Sequence, residues 1–235
     1  MKGLVLAAGL GERMRPLTLT TPKPLLEAGG KPLIAWHLEK LAAMGVDEVI
    51  VNTSWLAPKF EETLGDGRRF GVRLRYVYEG PTPLETGGGI WNALADLTPD
   101  GAPFVAVNGD IWTDYDFAKL PRDPDGLAHL VLVDNPSHNE DGDFALDGPV
   151  VRSEGVPRYT VSGIGVYRRE LFDDWRGIIG DAPGADETPP RFKLAPLLRS
   201  AMREEDVTGE HHHGAWTDVG TPERLQMLDA ALRGG

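Results

Sequence analysis

The sequence predicts an α/β fold of three layers, Rossmann-like, with a mixed, mainly parallel sheet covered by helices on both faces. Three observations carry that expectation. Apolar runs at residues 3–8, 48–52 and 104–107 are nearly continuous, as strands buried on both faces require. Segments with helical spacing separate them, and a parallel sheet needs such a crossover between successive strands. The 235 residues include 41% apolar side chains, enough for a full core without covalent staples.

Each element has its own signal. After the first strand and a Gly/Pro-rich loop, Pro32, Leu33 and Ile34 open a helix to about residue 44. Trp36, Leu38, Leu41 and Ala42 recur on it at helical spacing, and Gly45 ends it. Residues 48–52 form a buried strand ending in Asn52. A helix over about 57–64 leads to the alternating strand 72–77. A third helix, about 88–96, precedes the strand 104–107. In the second half, 127–133 is a strong strand, 134–148 is polar and turn-rich, and 156–167 is strand again. Helices are expected near 169–175 and 193–202, with a mobile Pro/Gly/Asp-rich loop at 180–190. Thr221 is placed to N-cap a last helix over about 222–232. No repeat or linker divides the chain, so residues 1–235 are expected to form a single domain with a second lobe.

Composition narrows the function. The chain has no cysteine, which excludes disulfides, thiolate metal sites and a cysteine nucleophile. Met1-Lys2 runs straight into the first strand, and no apolar run approaches the ~20 residues of a membrane span, so a soluble cytoplasmic protein is expected. A net charge of −12 argues against nucleic acid or an anionic membrane as partner. The basic side chains nonetheless gather early: Lys2, Arg13, Arg15, Lys23 and Lys31 lie in the first 31 residues, opposed only by Glu12 and Glu27.

The most informative stretch is Leu6-Ala7-Ala8-Gly9-Leu10-Gly11-Glu12-Arg13-Met14-Arg15-Pro16, followed by Thr21-Pro22-Lys23-Pro24. A strand ends in a glycine-rich turn loaded with cations. Glycines let backbone N–H groups approach an anion, and Arg and Lys supply charge where phosphate oxygens would sit. A P-loop would close on Gly-Lys-Ser/Thr, which is missing. A dinucleotide fingerprint wants a third glycine where Met14 stands, a helix at once, and an acidic residue where Asn52 ends the next strand. The turn is read as a polyphosphate cradle, with Ala8, Gly9, Gly11, Glu12, Arg13 and Lys23 expected to bind nucleotide.

This pattern, L-A-A-G-x-G-x-R-x-x-P with a downstream P-K-P, resembles the signature of the sugar-1-phosphate nucleotidyltransferases. The resemblance covers almost the entire chain. It is strongest to the branch acting on N-acetylmuramic acid 1-phosphate, through Leu84-Glu85-Thr86-Gly87-Gly88-Gly89-Ile90, Asn108-Gly109-Asp110-Ile111-Trp112-Thr113 and Gly209-Glu210-His211. It implies the nucleotide-diphospho-sugar transferase fold, with about 1–115 binding nucleotide and about 116–235 binding sugar. UTP and a sugar 1-phosphate are the implied substrates, UDP-N-acetylmuramic acid and pyrophosphate the products, and cell-wall recycling the setting. A monomer or weak homo-oligomer is expected.

Asp110 follows a buried strand, and Asp218 precedes a tight turn and helix. Alone, either reads as an Asx-turn or N-cap. Together they suit Mg²⁺, which takes one or two carboxylates plus substrate phosphates, and in the resembled family aspartates at these motif positions bind the catalytic metal. Arg13 is expected to stabilise the departing pyrophosphate, with Lys23 held between two prolines beside it. Thr86 and Gly87 occupy the place where the family contacts the base, and Glu79-Gly80 is expected to complete that pocket. Asn108 and Asp143 are the sugar candidates. A Val-Glu-Lys-type motif, whose lysine holds the sugar phosphate in many relatives, is replaced by residues 151–158 without lysine, leaving Arg158 or Lys193 for that contact. Ser162 stands where relatives often have asparagine. His211-His212-His213 is read as a surface loop, since consecutive residues alternate in direction and seldom supply three metal ligands.

Two rivals stay open. The substrates of mannose-1-phosphate guanylyltransferase or glucose-1-phosphate thymidylyl- or uridylyltransferase are one. A catalytically silent regulatory protein that binds a nucleotide sugar is the other, against which the intact set Arg13, Lys23, Asp110 and Asp218 speaks.

Overall fold

In a computed structural model, which describes residues 1–234, the chain partitions into two compact units. The first comprises Lys2–Pro83, Val107–Ala118 and the segment from Ala215; the second comprises Met1, Leu84–Ala106 and Lys119–Gly214. In chain order the first unit contributes β1 (Gly3–Leu6), the hairpin β2 (Glu27–Ala28) and β3 (Lys31–Pro32), and α1 (Leu33–Ala43). It continues with β4 (Glu48–Thr53), α2 (Pro58–Leu64) and β5 (Arg73–Tyr78). The chain then forms α3 (Glu85–Leu97), β6 (Phe104–Asn108) and β7 (Ile111–Thr113). β8 (Ala128–Val133), β9 (Phe144–Asp147), β10 (Val150–Arg152) and β11 (Arg158–Tyr167) follow in the second unit. α4 (Trp175–Ile179), α5 (Ala195–Arg203) and β12 (Val207–His212) complete it. β13 (Trp216–Asp218) and α6 (Pro222–Gly234) belong to the first unit.

In the first unit β1, β4 and β5 run parallel, with Gly3 opposite Val49 and Glu48 opposite Arg73. Leu4, Val5, Val49, Ile50 and Val51 are fully buried, each contributing about 1.5–3 kcal/mol for a complete burial of that size. Helix α1 lays Leu33, Ile34, Leu38 and Leu41 into this core; of the four residues whose spacing marked the helix, Leu38 and Leu41 are fully buried and Trp36 and Ala42 half-buried. Thr221 N-caps α6 as expected, its Oγ1 accepting from the Arg224 N–H at 3.4 Å.

The second unit is mixed. β12 runs parallel to β8, while β11 pairs antiparallel with β8 and β10 antiparallel with β12 and β9. Only Gly148 and Pro149 join β9 to β10, and so short a connection permits nothing but a hairpin. These two strands lie partly in the stretch expected to be turn-rich, and β12 was not anticipated either. Residues 180–190, expected as a mobile loop, form turns in which the Gly184 carbonyl accepts from the N–H groups of Glu187 and Arg191.

Helix α3 starts at Glu85, about three residues earlier than expected, and takes the glycine run inside it. Glycine is a poor helix former, so propensity puts the start later; packing overrides it. A Cβ on Gly87 would lie 2.6 Å from Phe192 Cδ2, and one on Gly88 2.4 Å from the Pro190 carbonyl oxygen. The Gly88 N–H donates to the Phe192 carbonyl at 2.9 Å, and Trp175 stacks on Phe192 with centroids 4.7 Å apart. Bare backbone is what lets the 190–192 segment close on the helix. Among the described residues no helix is long and apolar enough to cross a membrane.

Candidate active site

The cradle loop is built from its end inward. β1 stops at Leu6, and the Ala7 N–H donates to Asn52 Oδ1 at 2.6 Å. Asn52 Nδ2 in turn donates to Glu79 Oε1 at 2.6 Å, so a buried carboxamide locks the exits of β1, β4 and β5 together. Gly11 sits at φ +62°, and a Cβ there would meet Thr18 Cγ2 at 2.8 Å, so both backbone conformation and space demand glycine. A Cβ on Gly9 meets nothing within 4 Å. Packing therefore makes no demand for glycine at Gly9.

A 3-10 turn, Glu12–Met14, follows. Met14 is fully buried with Leu26, Ala28, Leu33, Val219 and Leu228, and this apolar pin holds the loop against α1 and α6. Thr18 Oγ1 donates to the Gly11 carbonyl at 2.7 Å, and Trp55 Nε1 donates to the Thr18 carbonyl at 2.8 Å. Glu12, Arg13 and Arg15 remain exposed, and Arg15 pairs with Glu12 at 3.3 Å. Lys23 opens another 3-10 turn, Lys23–Leu25. Its backbone is therefore not held extended as the flanking prolines suggest, because Pro24 falls in a first helical turn, where proline is tolerated.

The backbone segments that carry the two aspartates meet. β7 and β13 pair antiparallel with Ile111 opposite Asp218, and the Val219 N–H donates to the Asp110 carbonyl at 2.9 Å. Lys23 Nζ donates to Asp110 Oδ2 at 2.7 Å, with the lysine side chain 9% exposed and the aspartate 39%. Gly109 allows this convergence: its N–H bonds the Leu6 carbonyl, and a Cβ would lie 3.0 Å from that oxygen and 3.2 Å from Pro24 Cγ. Arg224 Nη1 donates to both Asp218 oxygens, at 2.8 and 2.7 Å. A point one Cβ out from Gly220 lies 3.0 Å from Asp218 Oδ2, 3.0 Å from Arg224 Nη1 and 3.6 Å from Arg13 Nη1. The structure thus brings Arg13, Lys23, Asp110 and Asp218 into one unit, with Asn108 in the same Asn-Gly-Asp turn. Sequence reasoning missed Arg224, although a helix capped by Thr221 turns its first-turn side chains back toward Asp218. Carboxylates borne on two adjoining strand ends are hard oxygen donors of the kind that suits a dication with open positions for phosphate oxygens.

His37 lies beneath β7, its Nε2 donating to the Ile111 carbonyl at 2.9 Å and its ring stacked on Phe117. Nδ1 is buried without a partner. Burial pushes the imidazole down to about 4, against the smaller raising effects of the Ile111 bond and Asp110. The folded protein keeps this ring neutral while the unfolded chain protonates it near 6.5, so the stabilisation is present above 6.5 and is lost as pH falls toward 4. From pH 7.5 to 5 the loss should be about 2 kcal/mol, and His37→Phe should remove that part of the slope in urea denaturation. Equal pH dependence in both proteins would refute the neutral buried ring.

Elsewhere in the first unit, Ala8 and Glu79 are buried, and the Gly80 carbonyl accepts from Ser54 Oγ at 2.7 Å. In the second unit Thr86 is exposed at the start of α3. Gly87 is covered by Phe192, so it offers no bare surface of its own to a base. Asp143 is fastened within the fold, Oδ2 accepting from the Val161 N–H at 2.8 Å and Oδ1 from Asn139 Nδ2 at 3.3 Å. Arg158 donates to the carbonyls of Ser153 and Asp143, whereas Lys193 is exposed. Ser162 lies in a bulge of β11, its Oγ accepting from the Ile164 N–H. The histidine run is not a surface loop: His211 and His212 end β12 beside β8.

Comparison with known proteins follows the same lines. The profile of the family described as Nucleotidyl transferase matches residues 2–144. An N-acetylmuramate alpha-1-phosphate uridylyltransferase of Neisseria meningitidis serogroup B is 48% identical over 98% of this chain and 97% of its own. A protein of the same name from Caulobacter vibrioides is 33% identical over 97% of this chain and 96% of its own. A Bacillus anthracis crystal structure with sucrose, assigned as a glucose-1-phosphate thymidylyltransferase, superposes with a TM-score of 0.79 over 99% of this chain and 95% of its own. At 22% identity that likeness speaks for the fold.

Proposed function

Since this chain belongs to the nucleotidyl transferase family, we propose that it transfers a uridylyl group from UTP to N-acetylmuramic acid 1-phosphate, yielding UDP-N-acetylmuramic acid and pyrophosphate. Asp110 and Asp218 on adjacent strand ends, with Lys23 bonded to the first and Arg224 to the second and Arg13 close by, carry the reading of nucleotidyl transfer. Likeness over nearly the full length of both chains to the Neisseria protein supports the choice of substrates.

A phosphate oxygen of the sugar 1-phosphate attacks the α-phosphorus of UTP in line. The bond from that phosphorus to the bridging oxygen breaks, and its electron pair leaves with pyrophosphate. The attacking phosphate is already ionised at neutral pH, so no side chain need take a proton. Asp110 and Asp218 would hold Mg²⁺, which supplies Lewis-acid neutralisation of triphosphate charge. Lys23, fixed by its bond to Asp110, and Arg13 offset the charge that builds on the leaving group. The backbone at Ala8, Gly9, Gly11 and Glu12 cradles the triphosphate. Within the first unit, Glu79 and Gly80 line the base pocket and Asn108 binds the sugar. No covalent intermediate is required, so positioning and electrostatics supply the rate gain. The setting proposed is cytoplasmic cell-wall recycling by a monomer or weak homo-oligomer, with no nucleic acid or membrane as partner.

A panel of nucleoside triphosphates and sugar 1-phosphates, followed by pyrophosphate release, tests the assignment. UTP with N-acetylmuramic acid 1-phosphate is expected to be the preferred pair. Turnover confined to GTP with mannose 1-phosphate would overturn the substrate choice, and nucleotide-sugar binding without turnover would favour a regulatory protein.

A further inference from the structure

We propose that Asp134, His211 and His213 form a binding site for a borderline transition-metal dication of the Zn²⁺ class, on residues that the transfer reaction does not use. One ligand atom from each of the three side chains lies within 4.8 Å of the other two. His211 Nε2 stands 2.9 Å from Asp134 Oδ1, and the rings of His211 and His213 are 4.0 Å apart.

Strand register explains why they meet. β12 runs parallel to β8 with His211 opposite Leu132 and His212 opposite Val133. One residue further, His213 follows beside Asp134. Side chains alternate with period two along a strand, so His211 and His213 share a face, and Asp134 emerges on that same face two residues beyond Leu132. The histidine between them points away, which is why three consecutive imidazoles yield two ligands and the third comes from the neighbouring strand's exit.

The site is braced before any ion arrives. Tyr159 packs on His211 with ring centroids 4.0 Å apart. Asn135, the residue after Asp134, donates through Nδ2 to the carbonyls of Glu140 and Arg158 at 3.0 Å each. Its Oδ1 accepts from Thr160 Oγ1 at 2.9 Å, so the backbone leaving Asp134 is anchored on two sides. Two imidazoles and one carboxylate form a donor set that Zn²⁺ accepts tetrahedrally, its fourth position left to water. Donors in such a site sit about 3.3 Å apart, within small rotamer shifts of the arrangement observed. Mg²⁺ prefers all-oxygen ligands, so the two sites differ in the ion they select.

The test uses tag-free protein stripped by a chelator, then titrated with Co²⁺ and with Zn²⁺ in excess Mg²⁺ and without substrates. Visible absorption of Co²⁺ and calorimetry of Zn²⁺ are expected to report one ion per chain. His213→Gln and Asp134→Asn, both at exposed side chains, should each weaken binding about tenfold or more, while Asp110→Asn should leave it unchanged. Absence of binding up to about 100 μM would overturn the site, as would affinity unaltered in both variants. Because no nucleotide is involved, failure of the uridylyl-transfer assignment and failure of this site are read separately.

Discussion

Asp110→Asn is expected to lower kcat by about 10²-fold or more, the usual cost of losing one preorganised electrostatic group at a reacting phosphate. Asp110 sits where three backbone segments are bound together: its carbonyl accepts from Val219, the neighbouring Gly109 N–H bonds Leu6, and its carboxylate holds Lys23. The first two links survive the substitution, so the fold should persist. The third weakens, and Lys23, 9% exposed, loses its counter-charge. Because the aspartate is 39% exposed and water screens the pair, the cost to stability should be about 1 kcal/mol. Urea denaturation and steady-state pyrophosphate release separate the two effects. Near-normal turnover with excess Mg²⁺ would remove Asp110 from the reaction.

Arg13→Ala should reduce kcat/KM by about 10²- to 10³-fold with little change in stability. Its side chain is exposed and contributes nothing to the core, yet its Nη1 converges with Asp218 and Arg224 on Gly220. Arg15→Ala is the control. That guanidinium lies two residues away and is also exposed, but pairs with Glu12. An exposed pair of that kind contributes under about 1 kcal/mol, so activity should change by about twofold at most. Equal losses in the two variants would indicate a general charge effect and not a specific role for Arg13.

Much of the first unit was legible because its signals act over a few residues. Continuous apolar runs marked β1 and β4, and the spacing of Trp36, Leu38, Leu41 and Ala42 marked α1. Three readings ran past what local signals can tell. The glycines of α3 looked like a helix start delayed, but Phe192, far along the chain, fills the space beside them. Asp143 had equal claim as a turn residue or a ligand contact, and its bonds to Val161 and Asn139 give it a structural task. The histidine run looked inert because consecutive residues alternate in direction, and only the β8–β12 register brings Asp134 alongside.

Residue types and their immediate neighbours were enough to determine an α/β architecture, a cation-bearing glycine turn and two candidate carboxylates. Only the tertiary structure decided that Asp110 and Asp218 are adjacent. β7 and β13 are three residues each, too short to show an alternating pattern, and they pair across nearly half of the chain. Pairing of that kind is set by what the rest of the core leaves open, and no local rule encodes it.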